Sequence, residues 1–183
     1  EAMNVSRALY PFEGKRLEIN GHTMHTIDEG EGPAVIMVHG NPTWSFYWRN
    51  LVVNLRDQYR VVVPDHIGCG LSEKPQNYNY CLDQHIDNVV RLIEHLDLQQ
   101  VTLMVHDWGG AIGLASLLRR KDRFQRIVLL NTGAFPPPYV PLRIAACRIP
   151  MLGTFAVRGL NLFARLAITM AMSRRRMDYA VAQ

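Results

Sequence analysis

Asp107 is the residue of this chain best placed for covalent chemistry. It stands in Val105-His106-Asp107-Trp108-Gly109-Gly110, between an apolar run, Val101-Thr102-Leu103-Met104-Val105, and a helix-like run from Ala111 to Leu118. A strand that turns sharply into a helix strains the backbone at the turn and lifts the side chain there clear of the sheet. Gly109 and Gly110 let strand and helix pass closely. An aspartate side chain is ionised at neutral pH and needs no base to activate it. It can attack an electrophilic carbon directly and form an alkyl ester with the protein. The competing reading of Asp107 is a helix N-cap, for which Asp is a preferred residue.

Elements that could position such a residue follow from the pattern of the chain. Lys15 to Asn20 and His22 to Asp28 are short strand-like runs joined at Asn20-Gly21, a strong hairpin signal. Ala34 to Val38 and Arg60 to Val63 are continuous apolar runs of strand length, the texture of buried parallel strands. Ser45 to Leu55 reads as a helix. Asp83 to Leu98 is amphipathic, with Ile86, Val89, Val90, Ile93 and Leu96 at three- and four-residue spacing. The strand at 101–105, a helix to about Arg120 and a strand from Arg126 to Leu130 complete the series. Strands alternating with helices after an opening hairpin predict an α/β fold with a mostly parallel sheet. Function in such sheets sits at the carboxyl ends of the strands. Three segments fall there: His39-Gly40-Asn41-Pro42, Asp65 to Ser72, and Val105 to Gly110.

After Asn131 the texture changes. Pro136-Pro137-Pro138 punctuates, and 139–183 reads as short helices with Leu, Ile, Met, Phe and Ala on one side and Arg on the other. The expected division is a core over 1–134 and a partial helical cap over 135–183.

His39 through Trp44, Asp65 through Ser72 and Val105 through Gly110, in that order and each after a strand, resemble the α/β-hydrolase fold. They look most like its aspartate-nucleophile branch, the haloalkane dehalogenases and their close relatives. Val105 replaces the first glycine of the usual elbow, which crowds the turn. The resemblance implies an α/β-hydrolase sheet with an opening antiparallel hairpin and the start of a helical cap. It implies that Asp107 is the nucleophile. The side chains of Asn41 and Trp108, an amide NH₂ and an indole N–H, would hold the departing halide. Their backbone N–H groups would form the oxyanion hole. For Asn41 the alternative is turn chemistry before Pro42. Trp44 and Phe135 are candidates to line the pocket, with core packing the competing role for Trp44 and Trp48.

His106 is not expected to serve as a base, because neighbouring residues of a strand point to opposite faces. His39 is expected to fix its own turn, and Asp65, Gly68, Gly70 and Ser72 to build a turn. In the family the base that activates water is a histidine after the last strand, oriented by a carboxylate after the sixth or seventh strand. Leu130-Asn131-Thr132-Gly133 contains no acid. The resemblance therefore places the acid and the histidine beyond Gln183. The chain reads as the first two-thirds of an enzyme, its last strands missing, able to be alkylated but not to turn over.

Two relatives of this chemistry, and one reading outside it, remain open alongside dehalogenation. The segment Pro141 to Pro150 is similar to enzymes that decarboxylate long-chain β-lactones to alkenes, where a carboxylate-like group would leave. An epoxide hydrolase would need cap tyrosines, for which Tyr139 and Tyr179 are the candidates. A non-catalytic ligand-binding or membrane-surface protein is the reading from a different class.

Composition bounds these readings. With 183 residues, 48% apolar and 20% charged, the chain can form a soluble core of ordinary size. Its three cysteines, Cys69, Cys81 and Cys147, are scattered outside metal or redox spacing, which fits a reducing, cytoplasmic setting. No cofactor or metal is expected. The start, Glu-Ala-Met-Asn, has no signal-peptide pattern. The +4 charge is uneven: residues 1–131 carry 13 Lys/Arg against 15 Asp/Glu, while 132–183 carry seven Arg and Asp178. That basic tail suits a solvated face, a membrane surface or an anionic partner, and no nucleic-acid motif accompanies it. Arginines interrupt each apolar run that approaches membrane-spanning length. The expected partners are a small apolar organic substrate and water; oligomeric state is not legible.

Overall fold

The computed structural model describes residues 6–133. The expected cap at 135–183, with Phe135, Tyr139 and Tyr179, lies outside the described residues.

Within them the strands β1 (Lys15–Ile19), β2 (His22–Glu29), β3 (Ala34–Val38), β4 (Arg60–Pro64), β5 (Val101–Asp107) and β6 (Phe124–Thr132) form one sheet. Its spatial order is β1-β2-β4-β3-β5-β6. β1–β2 and β2–β4 are antiparallel, and the β4–β3, β3–β5 and β5–β6 pairs are parallel. This is the mostly parallel sheet with an opening antiparallel hairpin that the sequence predicts. The opening hairpin turns through Asn20 (φ +51) and Gly21 (φ +77), the pair of left-handed residues that a two-residue type I′ hairpin needs.

Alternation along the central strands decides what each helix covers. Ile36, Val38, Val62, Leu103 and Val105 face one side, where they pack with α2 (Leu82–His95) and α3 (Gly109–Arg119) through Ile86, Val89, Leu92, Ile93 and Ile112. The intervening Val35, Met37, Val61, Val63 and Met104 face the other side. There they meet Trp48, a 3₁₀ turn over Ser45–Trp48 and Val52 of α1 (Arg49–Leu55). The predicted helix over 45–55 thus opens with a 3₁₀ turn, a common way to enter an α-helix. The predicted helix over 83–98 stops at His95, and Asp97 turns the chain at φ +44.

One buried polar side chain in this packing is well partnered. On the α2 face Asn88, 1% exposed, donates to the Tyr78 hydroxyl at 2.7 Å and accepts from Asn20 Nδ2 at 2.9 Å. Among the described residues β6 pairs with β5 alone, and Ile127, Leu129 and Leu130 are exposed. Among the described residues no helix is long and apolar enough to cross a membrane.

Candidate active site

β5 carries the chain to the carboxyl end of the sheet and stops at Asp107. Its backbone there takes φ +53, a left-handed conformation that an ordinary residue holds only when its surroundings impose it. α3 starts two residues later. Its N-cap is Trp108, with no side-chain cap hydrogen bond. The Asp107 carboxylate turns instead toward the β3 loop, where Oδ1 accepts the backbone N–H of Asn41 at 2.9 Å. The N-cap reading of Asp107 therefore does not hold.

Close approach makes this contact feasible. A Cβ on Gly40 would overlap the Asp107 carboxylate, and one on Gly109 would overlap the Val38 and His39 carbonyls. These two glycines let the β3 loop and the β5–α3 turn sit against each other. On the far side, a shift in the β5–β6 register places Asp107 opposite Thr132, whose hydroxyl donates to the Asp107 carbonyl at 2.5 Å.

The β3 loop is itself held from beneath. His39, fully buried, uses Nδ1–H to donate to the Gly40 carbonyl at 2.8 Å, and its Nε2 accepts the His66 N–H at 3.0 Å. Both ring nitrogens are committed in the neutral form. Burial holds the imidazole below its ordinary pKa, against the opposing pull of Asp65. His66 Nε2–H donates back to the His39 carbonyl at 3.1 Å. The two histidines thus clasp the ends of β3 and β4, which places His39 in its own turn as the sequence suggests.

Asp65 is the hub of the neighbouring turn. Its buried carboxylate accepts the Ser45 N–H at 2.7 Å, the Leu71 N–H at 2.9 Å and His25 Nδ1 at 2.9 Å. Burial pushes this carboxyl upward. The His25 hydrogen bond, nearby imidazole charge and the Leu71 N–H outweigh that and hold it below the ordinary value. Ser72 donates to the Asp65 carbonyl at 2.6 Å. All of these contacts are structural, in keeping with a turn rather than a catalytic group.

His106 leaves the sheet on the α1 side. Its ring stacks on Tyr47 with centroids 4.3 Å apart and meets Trp48 edge-on at 6.5 Å. Met104 marks the same face two residues earlier, so strand parity alone accounts for the direction. Burial lowers the His106 pKa, against the Asp107 charge. Burial raises that of the Tyr47 phenol, as does the Asp107 carboxylate.

A cavity of about 250 Å³ opens beside Asn41 and Trp108, with Ile67, Cys69, Tyr80, His85 and Ile112 among its walls. The structure therefore brings three predicted site residues together: Asp107, Asn41 through its backbone N–H, and Trp108 at the cavity, its indole half-exposed. The Trp44 ring, half-buried, stacks on Phe46 at 5.4 Å, lies 5.2 Å from Tyr10 and packs against the core cluster that holds Trp48 and Val52; it does not line this cavity. Phe135 is outside the described residues. Among the described residues no cluster of His, Cys, Asp and Glu could hold a metal ion.

Sequence reasoning passes over Gly40, Tyr47 and Thr132. Gly40 carried a signal, a glycine directly before the loop residue that the sequence pairs with Asp107. Thr132 carried none, because its contact depends on an irregularity in strand pairing.

Residues 33–146 match the family model described as the alpha/beta hydrolase fold. Over 176 residues the chain is 47% identical to a cis-3-alkyl-4-alkyloxetan-2-one decarboxylase of Shewanella oneidensis, covering 93% of this chain and 55% of that protein. Over 128 residues it is 43% identical to haloalkane dehalogenase 2 of Mycobacterium bovis, covering 70% of this chain and 45% of that one. The crystal structure of a haloalkane dehalogenase from Agrobacterium tumefaciens superposes with a TM-score of 0.77 at 29% identity, covering 87% of this chain and 57% of that one. The chain spans about half the length of the curated relatives it matches.

Proposed function

We propose, from the premise that this chain belongs to the alpha/beta hydrolase fold family, that it is the nucleophile-bearing part of a haloalkane dehalogenase-like hydrolase. Asp107 attacks an sp³ carbon of an apolar alkyl substrate, the carbon–leaving-group bond breaks, and an alkyl ester forms on the protein. The observation that carries this reading is the Asn41 N–H donating to Asp107 Oδ1. It supports different tasks for the two oxygens: Oδ2 attacks, and Oδ1 becomes the ester carbonyl, next to a donor that would stabilise its oxyanion during hydrolysis. The Trp108 N–H is the proposed second donor. The Asn41 amide and Trp108 indole take the leaving anion at the cavity. The water and the base of the second step belong to the family mechanism, and the segment 135–183 is proposed as the start of a helical cap.

The reach of the comparisons favours a second substrate class. The decarboxylase match runs over 93% of the chain and the dehalogenase match over 70%. A cis-3,4-dialkyl oxetan-2-one offers the same kind of carbon. Oδ2 attack at C4 opens the ring to an alkyl ester and a free carboxylate, which Asn41 and Trp108 would hold. Loss of that carboxylate as CO₂ forms the C3–C4 double bond and expels the Asp107 carboxylate. This sequence balances without added water, so it needs no hydrolytic base. The free thiols of Cys69 and Cys81 support a reducing, cytoplasmic setting.

The test is to offer the purified protein a 1-chloroalkane and a cis-3,4-dialkyl oxetan-2-one in parallel. Chloride release and an alkylated protein mass support the dehalogenase reading. Alkene with CO₂ supports the lactone reading. Neither product, with no adduct on Asp107, overturns both.

A further inference from the structure

The nucleophile turn is held on two sides, and the second side has no assigned role. On the first, the Asn41 N–H meets the Asp107 carboxylate. On the second, the Asp107 carbonyl leaves the regular β5–β6 ladder. The register runs Val105↔Leu129 and His106↔Leu130, then jumps to Asp107↔Thr132, which leaves Asn131 as the extra residue of a bulge. Asn131 takes φ +40 and Asp107 φ +53. Two left-handed non-glycine residues at one bulge are costly, and the bulge that holds them re-aims one side chain, Thr132. Its hydroxyl donates to the Asp107 carbonyl at 2.5 Å. The same hydroxyl occupies the space where a Cβ on Gly110 would stand, so the second glycine of the turn makes room for Thr132.

We infer that Thr132 is a positioning residue for the nucleophile: its hydroxyl pins the Asp107 carbonyl across the bulge and thereby sets the carboxylate against the Asn41 N–H. The inference rests on the reading of Asp107 as nucleophile. The side chain does not touch the reacting atoms. It fixes the peptide that carries them, and with that peptide fixed at both ends, Oδ2 stays aimed outward while Oδ1 stays on its donor. Small displacements of a reacting group are expensive in rate, and a carbonyl without its donor can rotate toward solvent.

The test pairs kinetics with structure in T132V, T132A and T132S. The first-turnover rate of chloride release from a 1-chloroalkane falls by about tenfold or more in T132V and T132A, at saturating substrate, with KM little changed. T132S, which keeps the hydroxyl, stays within about twofold of the parent rate. Crystal structures of T132V and T132S read the same geometry without any substrate. The Asn41 N–H to Asp107 Oδ1 contact is lost in T132V and kept in T132S. A T132V structure with that contact intact overturns the inference whether or not the protein releases chloride. A lost contact in T132V, together with a parent protein inert to both substrates, upholds the positioning role and overturns the proposed function instead.

Discussion

The backbone N–H of Asn41 donates to Oδ1 of Asp107 at 2.9 Å across two loops 66 residues apart in sequence. Under the proposed reading that contact leaves Oδ2 as the attacking atom, so the charge of the carboxylate matters more than its shape. Asp107→Asn keeps an oxygen acceptor for the Asn41 N–H and removes the anion. The variant is expected to fold with an unchanged melting temperature and to lose chloride release by at least about 10³-fold. Thermal melts and a chloride assay on the same preparation check this; residual activity near the parent level would remove Asp107 from the chemistry.

Gly40 lies where any side chain would collide with that carboxylate. In Gly40→Ala, either the carboxylate swings off its donor or the β3 loop retreats. Activity is expected to fall by about 10²-fold, the scale of a misplaced reacting group. Secondary structure should persist, because the collision is confined to the loop. Circular dichroism with first-turnover kinetics separates the two effects.

His106 adjoins Asp107 in sequence but stacks on Tyr47, on the α1 side of the sheet. A general base contributes about 10²–10⁴ in rate. His106→Gln is therefore expected to cost less than about tenfold in both the alkylation and the hydrolysis step. A loss within the general-base range, confined to release of alcohol from the ester, would restore His106 as the base.

Acid should destabilise this core in two stages. Burial holds His39 below its ordinary pKa and His66 well below it, while an unfolded imidazole takes up a proton near pH 6.5. The unfolded state then binds more protons than the native one, so stability falls as pH drops below about 6.5, by up to about 1.4 kcal/mol per pH unit per histidine. Asp65 acts lower. Its carboxyl is held below the unfolded value, so its contribution is present above about pH 4 and is lost as pH falls through the folded value. Urea midpoints measured from about pH 8 to pH 4 should be level at first and decline from about 6.5. A midpoint level down to about pH 5 would mean that His39 and His66 are not buried neutral.

What the sequence determined by itself is local. Apolar runs at 34–38, 60–63 and 101–105, the Asn20-Gly21 turn and the amphipathic spacing of 83–98 placed the strands and helices to within a few residues. Strand period, turn chemistry and helix spacing are properties of neighbours in the chain. For the same reason Asp107 was legible as a residue on a strand-to-helix turn, and His106 as one that points away from it.

The tertiary structure alone decided the relationships between segments. It set β4 between β2 and β3, gave Asp65 its three partners and packed Trp44 against Tyr10 and Phe46. It also brought Gly40, Asn41 and Thr132 to bear on one carboxylate-bearing residue. None of these has a sequence period. Each follows from the register of distant strands and from which backbones approach closely enough to require glycine, and a single-residue shift at Asn131 is enough to aim Thr132 at Asp107.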